Sequence, residues 1–125
     1  MATELALVIL GGGLGSSVRY LAALLTARLW GAQFPWGTLI VNLGGSFAIG
    51  LVYALGVEAG AIGPRGRLFL MTGLLGGLTT FSSFTMETST LFLHAGVWSS
   101  ALNLAVQVLG GLLLFLAGMV VGRAL

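Results

Sequence analysis

The sequence predicts an all-α integral membrane protein: one transmembrane domain over residues 1–125, built from four membrane-spanning helices, the third broken near its middle. Three observations carry this. Only 6% of the 125 residues are charged and 58% are hydrophobic, against roughly 25% charged in soluble domains. So few charges cannot cover a water-facing surface, and lipid must cover it instead. Four stretches have the apolar length of about 20 residues that a helix rising 1.5 Å per residue needs to cross a bilayer. The stretches between them are short and hold no soluble domain, so any function must sit within the helices or between them.

The first span is expected over about Leu5 to Ala27. The residues before it, Met1-Ala2-Thr3-Glu4, lack the basic start of a cleavable leader, so the span is expected to be retained. Gly11, Gly15 and Arg19 recur every four residues and share one helix face. Small residues let backbones approach closely, which makes this a packing face. The run Gly11-Gly12-Gly13-Leu14-Gly15 is as glycine-rich as a phosphate-binding loop, but no strand precedes it and no lysine follows. Arg19 lies about two-thirds along the span. Either it reaches the headgroups, or it lines an electropositive vestibule that attracts anions.

The second span is expected over Trp36 to Val57, joined to the first by Arg28 to Pro35, with Trp30 and Trp36 at interfacial depth. Asn42, Ser46 and Gly50 share a face. An asparagine in lipid either bridges helices or presents its N–H donors to an anion in a pore. A turn rich in Gly60, Gly63 and Pro64 follows.

The third span, Leu68 to Leu93, carries the most telling stretch: Gly76-Gly77-Leu78-Thr79-Thr80-Phe81-Ser82-Ser83-Phe84-Thr85. Adjacent glycines and threonines are poor helix formers. An unwound turn in a bilayer must satisfy its freed carbonyls inside protein, in a water-filled cavity or on an ion. Phe81 and Phe84, at i and i+3, are by themselves ordinary lipid-facing or core residues. Set among the hydroxyls of Thr79, Thr80, Ser82, Ser83 and Thr85, which supply donors, their positive ring edges suit a small anion. Glu87 follows one turn beyond Ser83, either a proton-coupling group or a structural partner for Arg19 or a hydroxyl.

The fourth span, Val97 to Val121, follows a turn of three residues, His94 to Gly96, so the last two spans form a tight hairpin. Asn103, Gln107 and Gly111 make one polar stripe, which faces protein or water rather than lipid. No nucleophile with a base, metal-ligand cluster or cofactor motif is present, so no enzyme is expected. The net charge of +2 comes from five scattered arginines that form no patch for a phosphate backbone, so no nucleic acid is expected. With four spans, Arg65, Arg67 and Arg123 lie on one side and Arg28, with Arg19 if it snorkels, on the other. That small bias permits either one orientation or two, hence an antiparallel pair.

The chain resembles the Fluc (CrcB) fluoride channels over essentially its whole length. The resemblance rests on residues 76–85, on Gly37-Thr38-Leu39-Ile40-Val41-Asn42, and on Arg19-Tyr20. It implies a dual-topology homodimer in the lipid of a bacterial inner membrane, passing fluoride passively through two antiparallel pores. It also implies a structural sodium ion at the dimer centre, held by the backbone carbonyls of Gly76 and Thr79. The pathway residues it implies are Asn42, Phe81, Phe84, Ser82, Ser83, Arg19 and Glu87. In the fourth span Asn103 and Gln107 stand where the family commonly has tyrosine and serine, and Asn103 is expected to donate to the anion in their stead.

Overall fold

A computed structural model describes all 125 residues, all-helical with no strand. Four spans are long and apolar enough to cross a membrane: Ala2–Trp30, Trp36–Glu58, Pro64–Ala95 and Val97–Ala124. Each overruns its expected limits by a few residues or matches them, because the helices continue until backbone chemistry stops them. The first ends at Gly31 and the third at Gly96, both at positive φ (81° and 90°), a conformation glycine adopts without steric cost. The third begins on Pro64, whose missing N–H is no loss in a first turn.

We label the first span α1 and the second α2. The third is two helices, α3 (residues 64–78) and α4 (Phe81–Ala95), separated by Thr79 and Thr80 in extended conformation. The fourth is α5. The break falls at the midpoint of the 32-residue third span, the depth at which lipid offers no hydrogen bonds. Gly96 alone joins α4 to α5, so these two form the expected hairpin. Wide π turns occupy residues 54–58, 68–75 and 106–110, shifting the face that each helix presents beyond them.

Glycine holds the bundle together by backbone contact. A Cβ on Gly11 would meet the Phe69 carbonyl and the Leu74 amide, and one on Gly15 would overlap the Leu74 carbonyl. Gly12 and Gly77 are equally close, so α1 lies directly on α3. The same device joins α2 to α5, where a Cβ on Gly50 would strike the Phe115 carbonyl and one on Gly118 the Phe47 carbonyl. Close approach of this kind substitutes for the hydrophobic drive that lipid does not supply.

At the α1–α2 connection Trp30, Phe34 and Trp36 cluster, with ring centroids 5.7 Å and 4.8 Å apart, an aromatic anchor of the interfacial kind. Near the other end of the bundle Arg123 donates to Glu58 through Nε (2.8 Å) and Nη2 (2.7 Å), tying the end of α5 to the end of α2.

A steric contact set by backbone makes an asymmetric prediction. Gly15→Ala drives a methyl into the α3 backbone and is expected to destabilise the protein by about 1–3 kcal/mol. Gly13→Ala, with open space around it, is expected to leave the thermal midpoint in detergent unchanged or raised. Equal midpoints for the two variants would contradict the contact.

Candidate functional site

The site grows out of the break. Where α3 stops, the Thr80 N–H that would close a helical bond to the Gly76 carbonyl donates instead to Asn42 Oδ1 of α2, at 2.8 Å. Asn42 Nδ2 donates back to the Thr80 carbonyl (3.1 Å) and to Gln107 Oε1 of α5 (2.7 Å). One carboxamide thus replaces the backbone partners that an unwound residue has lost. The Thr80 hydroxyl caps α4, accepting from the Ser83 N–H at 3.2 Å, the role in which threonine is preferred over helix interiors. Ser82 and Ser83 hydroxyls both lie 3.2 Å from it.

Arg19 sends Nη1 to the Thr79 carbonyl at 3.3 Å. It thus reaches a backbone carbonyl at the break, and it lines neither of the cavities described below. Glu87 does not pair with Arg19. Its Oε1 accepts from the Thr38 hydroxyl at 2.7 Å, while its Oε2 is buried with no hydrogen-bond partner.

A cavity of about 330 Å³ opens beside the break, walled by Asn42, Gly76, Thr79, Thr80, Phe81, Phe84 and Gln107 among others. The two rings stand 5.7 Å apart and tilted by 54°. Phe84 is buried at 7% exposure and Phe81 is 77% exposed, so the pair straddles the subunit surface. A second cavity of about 570 Å³ lies further along α4, between it and the α1–α2 connection. Thr38, Glu87 and His94 contribute to it.

Six of the predicted residues, Asn42, Phe81, Phe84, Gly76, Thr79 and Thr80's neighbour Ser83, gather at the break, and five of them line the first cavity. Ser82 is exposed beside them, Arg19 acts on the Thr79 carbonyl, and Glu87 belongs to the second cavity. Asn103 is fully buried at 0% exposure, its Nδ2 on the Thr88 hydroxyl (2.8 Å) and its Oδ1 on Gln107 Nε2 (3.1 Å). It lines neither cavity. Thr38 and Thr88 were not among the predicted residues. Thr38 sits within the stretch 37–42 quoted above, whereas Thr88 has only its two-turn spacing from Thr80 to mark it.

The break suits a monovalent cation as far as its oxygens go. The Gly76 carbonyl has lost its helical donor to Asn42, and the Thr79 carbonyl keeps a second lone pair besides the one Arg19 uses. Carbonyls of unwound backbone are typical ligands for such ions in membrane proteins, and no cluster of carboxylates or imidazoles competes.

Residues 6–119 match the family model described as CrcB-like protein, Camphor Resistance (CrcB). The chain belongs to the CrcB family. Among its relatives, a protein of Agrobacterium fabrum named fluoride-specific ion channel FluC is 43% identical over 98% of both chains. One of the same name from Roseiflexus is 44% identical over 92% of this chain and 90% of its own. Another from Clostridium perfringens is 38% identical over 97% and 95%. With its four spans, the CrcB chain is a multi-pass bacterial membrane protein.

Removing the Thr38 hydroxyl leaves both Glu87 oxygens without a donor. Thr38→Val is expected to lower stability by about 1–3 kcal/mol, the cost of orphaning a buried polar group, read as a drop in thermal midpoint. A midpoint equal to wild type would mean that the bond contributes nothing.

Proposed function

We propose that this chain is a passive, fluoride-selective channel that releases cytoplasmic fluoride. The observation that carries the reading is the α4 N-terminus, opened at mid-membrane and flanked by Phe81, Phe84 and the hydroxyls of Ser82 and Ser83. A helix N-terminus carries partial positive charge and free N–H groups. Hydroxyl rotors add donors that turn to suit the ion, and ring edges add weak positive potential. None of these is a full charge, so an anion is stabilised enough to enter and weakly enough to leave. Arg19 is half-buried one helix away and supplies the attractive field. The name of the relatives, fluoride-specific ion channel, points the same way.

A passive pore is sufficient for the task. Hydrogen fluoride crosses a membrane as a neutral acid and ionises in a neutral cytoplasm, trapping the anion. The membrane potential then favours its exit by about 2.3 kcal/mol per 100 mV, so no coupled energy source is required. The working form in this proposal is an antiparallel homodimer in the bacterial inner membrane. A second copy would cover the exposed Phe81 ring, and the Gly76 and Thr79 carbonyls of both copies would hold a structural sodium ion. That ion would neutralise the freed carbonyls where the two breaks meet.

A small proton-coupled exporter is the second reading, favoured by one observation: Glu87 is an intramembrane carboxyl with one oxygen unpartnered. Glu87→Gln separates the two. A channel is expected to keep passing fluoride with no imposed pH gradient, whereas an exporter loses proton-dependent transport.

The direct test uses liposomes containing the purified protein, loaded with potassium fluoride, opened to potassium with valinomycin and followed with a fluoride electrode. Fluoride is expected to leave rapidly while a chloride control stays. Phe81→Ile and Phe84→Ile are each expected to slow release by about tenfold or more, corresponding to about 1.4 kcal/mol on the barrier. Fluoride retained by the wild type would remove the channel reading.

A further inference from the structure

The side chains Asn42, Gln107, Asn103 and Thr88 form one unbranched line of hydrogen bonds. It runs from the break, across α5, and back to α4 two turns below the break. Its bonds measure 2.8 Å (Thr80 N–H to Asn42), 2.7 Å (Asn42 to Gln107), 3.1 Å (Gln107 to Asn103) and 2.8 Å (Asn103 to Thr88). A carboxamide normally has two orientations of similar shape, exchanging its N–H₂ and its oxygen. Here the first donor is a peptide N–H, which cannot accept. It commits Asn42 Oδ1 to the break and Asn42 Nδ2 to Gln107 Oε1. That commits Gln107 Nε2 to Asn103 Oδ1, and then Asn103 Nδ2 to the Thr88 hydroxyl. The Thr80 backbone, through its N–H and its carbonyl, therefore sets the orientation of three side-chain amides.

Burial and helix geometry support a structural purpose for the line. Asn103, Gln107 and Thr88 are all buried (0%, 8% and 9% exposed). Gln107 sits in the π turn of α5 at residues 106–110, a feature found often at functional sites. Both ends of the Asn103 amide are used within the protein, and at 0% exposure its second N–H opens on neither cavity. Gln107 lines the cavity beside Asn42 and is, with the Thr80 carbonyl, one of two acceptors that hold the Asn42 N–H groups, one of which must be released before an N–H can pass to an anion.

We propose that Gln107 and Asn103 are positioning residues: a direction-locked amide relay, oriented from the Thr80 backbone, that holds the Asn42 carboxamide in place from the α5 side and staples both ends of the first α4 turns to α5. Its consequence for transport rests on the channel reading above; its existence does not.

Backbone hydrogen exchange by NMR in detergent micelles tests the relay without reference to conduction. Gln107→Met keeps the length and removes both bonds, and Thr80 N–H exchange is expected to quicken about tenfold or more, the scale of one lost buried hydrogen bond. Amides at the remote Gly50–Gly118 crossing should keep their wild-type rates. Asn103→Leu, two side chains away, is expected to quicken Thr80 by a smaller factor. The double variant should match Gln107→Met alone, because Asn103 reaches Asn42 only through Gln107. Multiplying effects in the double variant, or uniform quickening at every helix, would overturn the relay. Should Gln107→Met not fold, unchanged Thr80 exchange in Asn103→Leu overturns it and a quickened rate supports it. Fluoride release from liposomes is measured in parallel. A wild type that passes no fluoride sinks the channel reading, while the exchange result still decides the relay.

Discussion

The bilayer does not hydrogen-bond, and the fold is arranged around that fact at one place. Unwinding Thr79 and Thr80 in the middle of a span frees backbone groups, each of which would cost several kcal/mol in hydrocarbon. Asn42 meets that demand with both ends of a single carboxamide, taking the Thr80 N–H and returning an N–H to the Thr80 carbonyl. Arg19 takes the carbonyl one residue earlier. The second and first spans therefore must stand where they do, since the third could not be broken without them.

Glycine makes that placement possible. Reaching the break from α1 and α2 requires short interaxial distances, and side chains larger than hydrogen at Gly11, Gly15 or Gly45 would hold the helices off. At Gly45 a Cβ would collide with the Thr79 methyl, so this glycine belongs to the break itself. The packing and the polar site are in this sense one feature: the bundle is tight where the unwound residues need it.

Much of this was legible in the sequence. Composition decided the class, hydrophobic length decided the spans, and the glycine and threonine pairs placed the break within residues 76–85, although the glycines stay helical and only Thr79 and Thr80 unwind. The four-residue glycine spacing in α1 identified a contact face correctly, although not that α3 would meet it. What periodicity does not reveal is the partner across space. Asn42 meets Thr80 at a separation of 38 residues and Gln107 at 65, and only the assembled bundle decides that its amide bridges helices. Asn103 carried the same polar signature as Gln107, one turn away. It is walled off because Thr88 lies opposite, and no local pattern distinguishes a residue facing a hydroxyl from one facing a cavity. The Thr38–Glu87 pair was half legible: a hydroxyl partner for the glutamate was foreseen, the helix that supplies it was not.

One feature of α4 bears on how copies meet. The exposed hydroxyls of Thr85, Ser89 and Thr90 each donate to a carbonyl of their own helix, at 2.8–2.9 Å. Their donors are already used, and the Phe81 ring is at ease among acyl chains. Along these turns the face therefore presents no unmet hydroxyl donor to lipid, and the polar demand on it is concentrated at the break, where the Gly76 carbonyl has lost its helical donor. Contact between copies along these turns would be set by shape fit and displaced lipid, weighed against mixing entropy in two dimensions. The variable that governs contact through these turns is then the mole fraction of protein in the membrane rather than its concentration in bulk water.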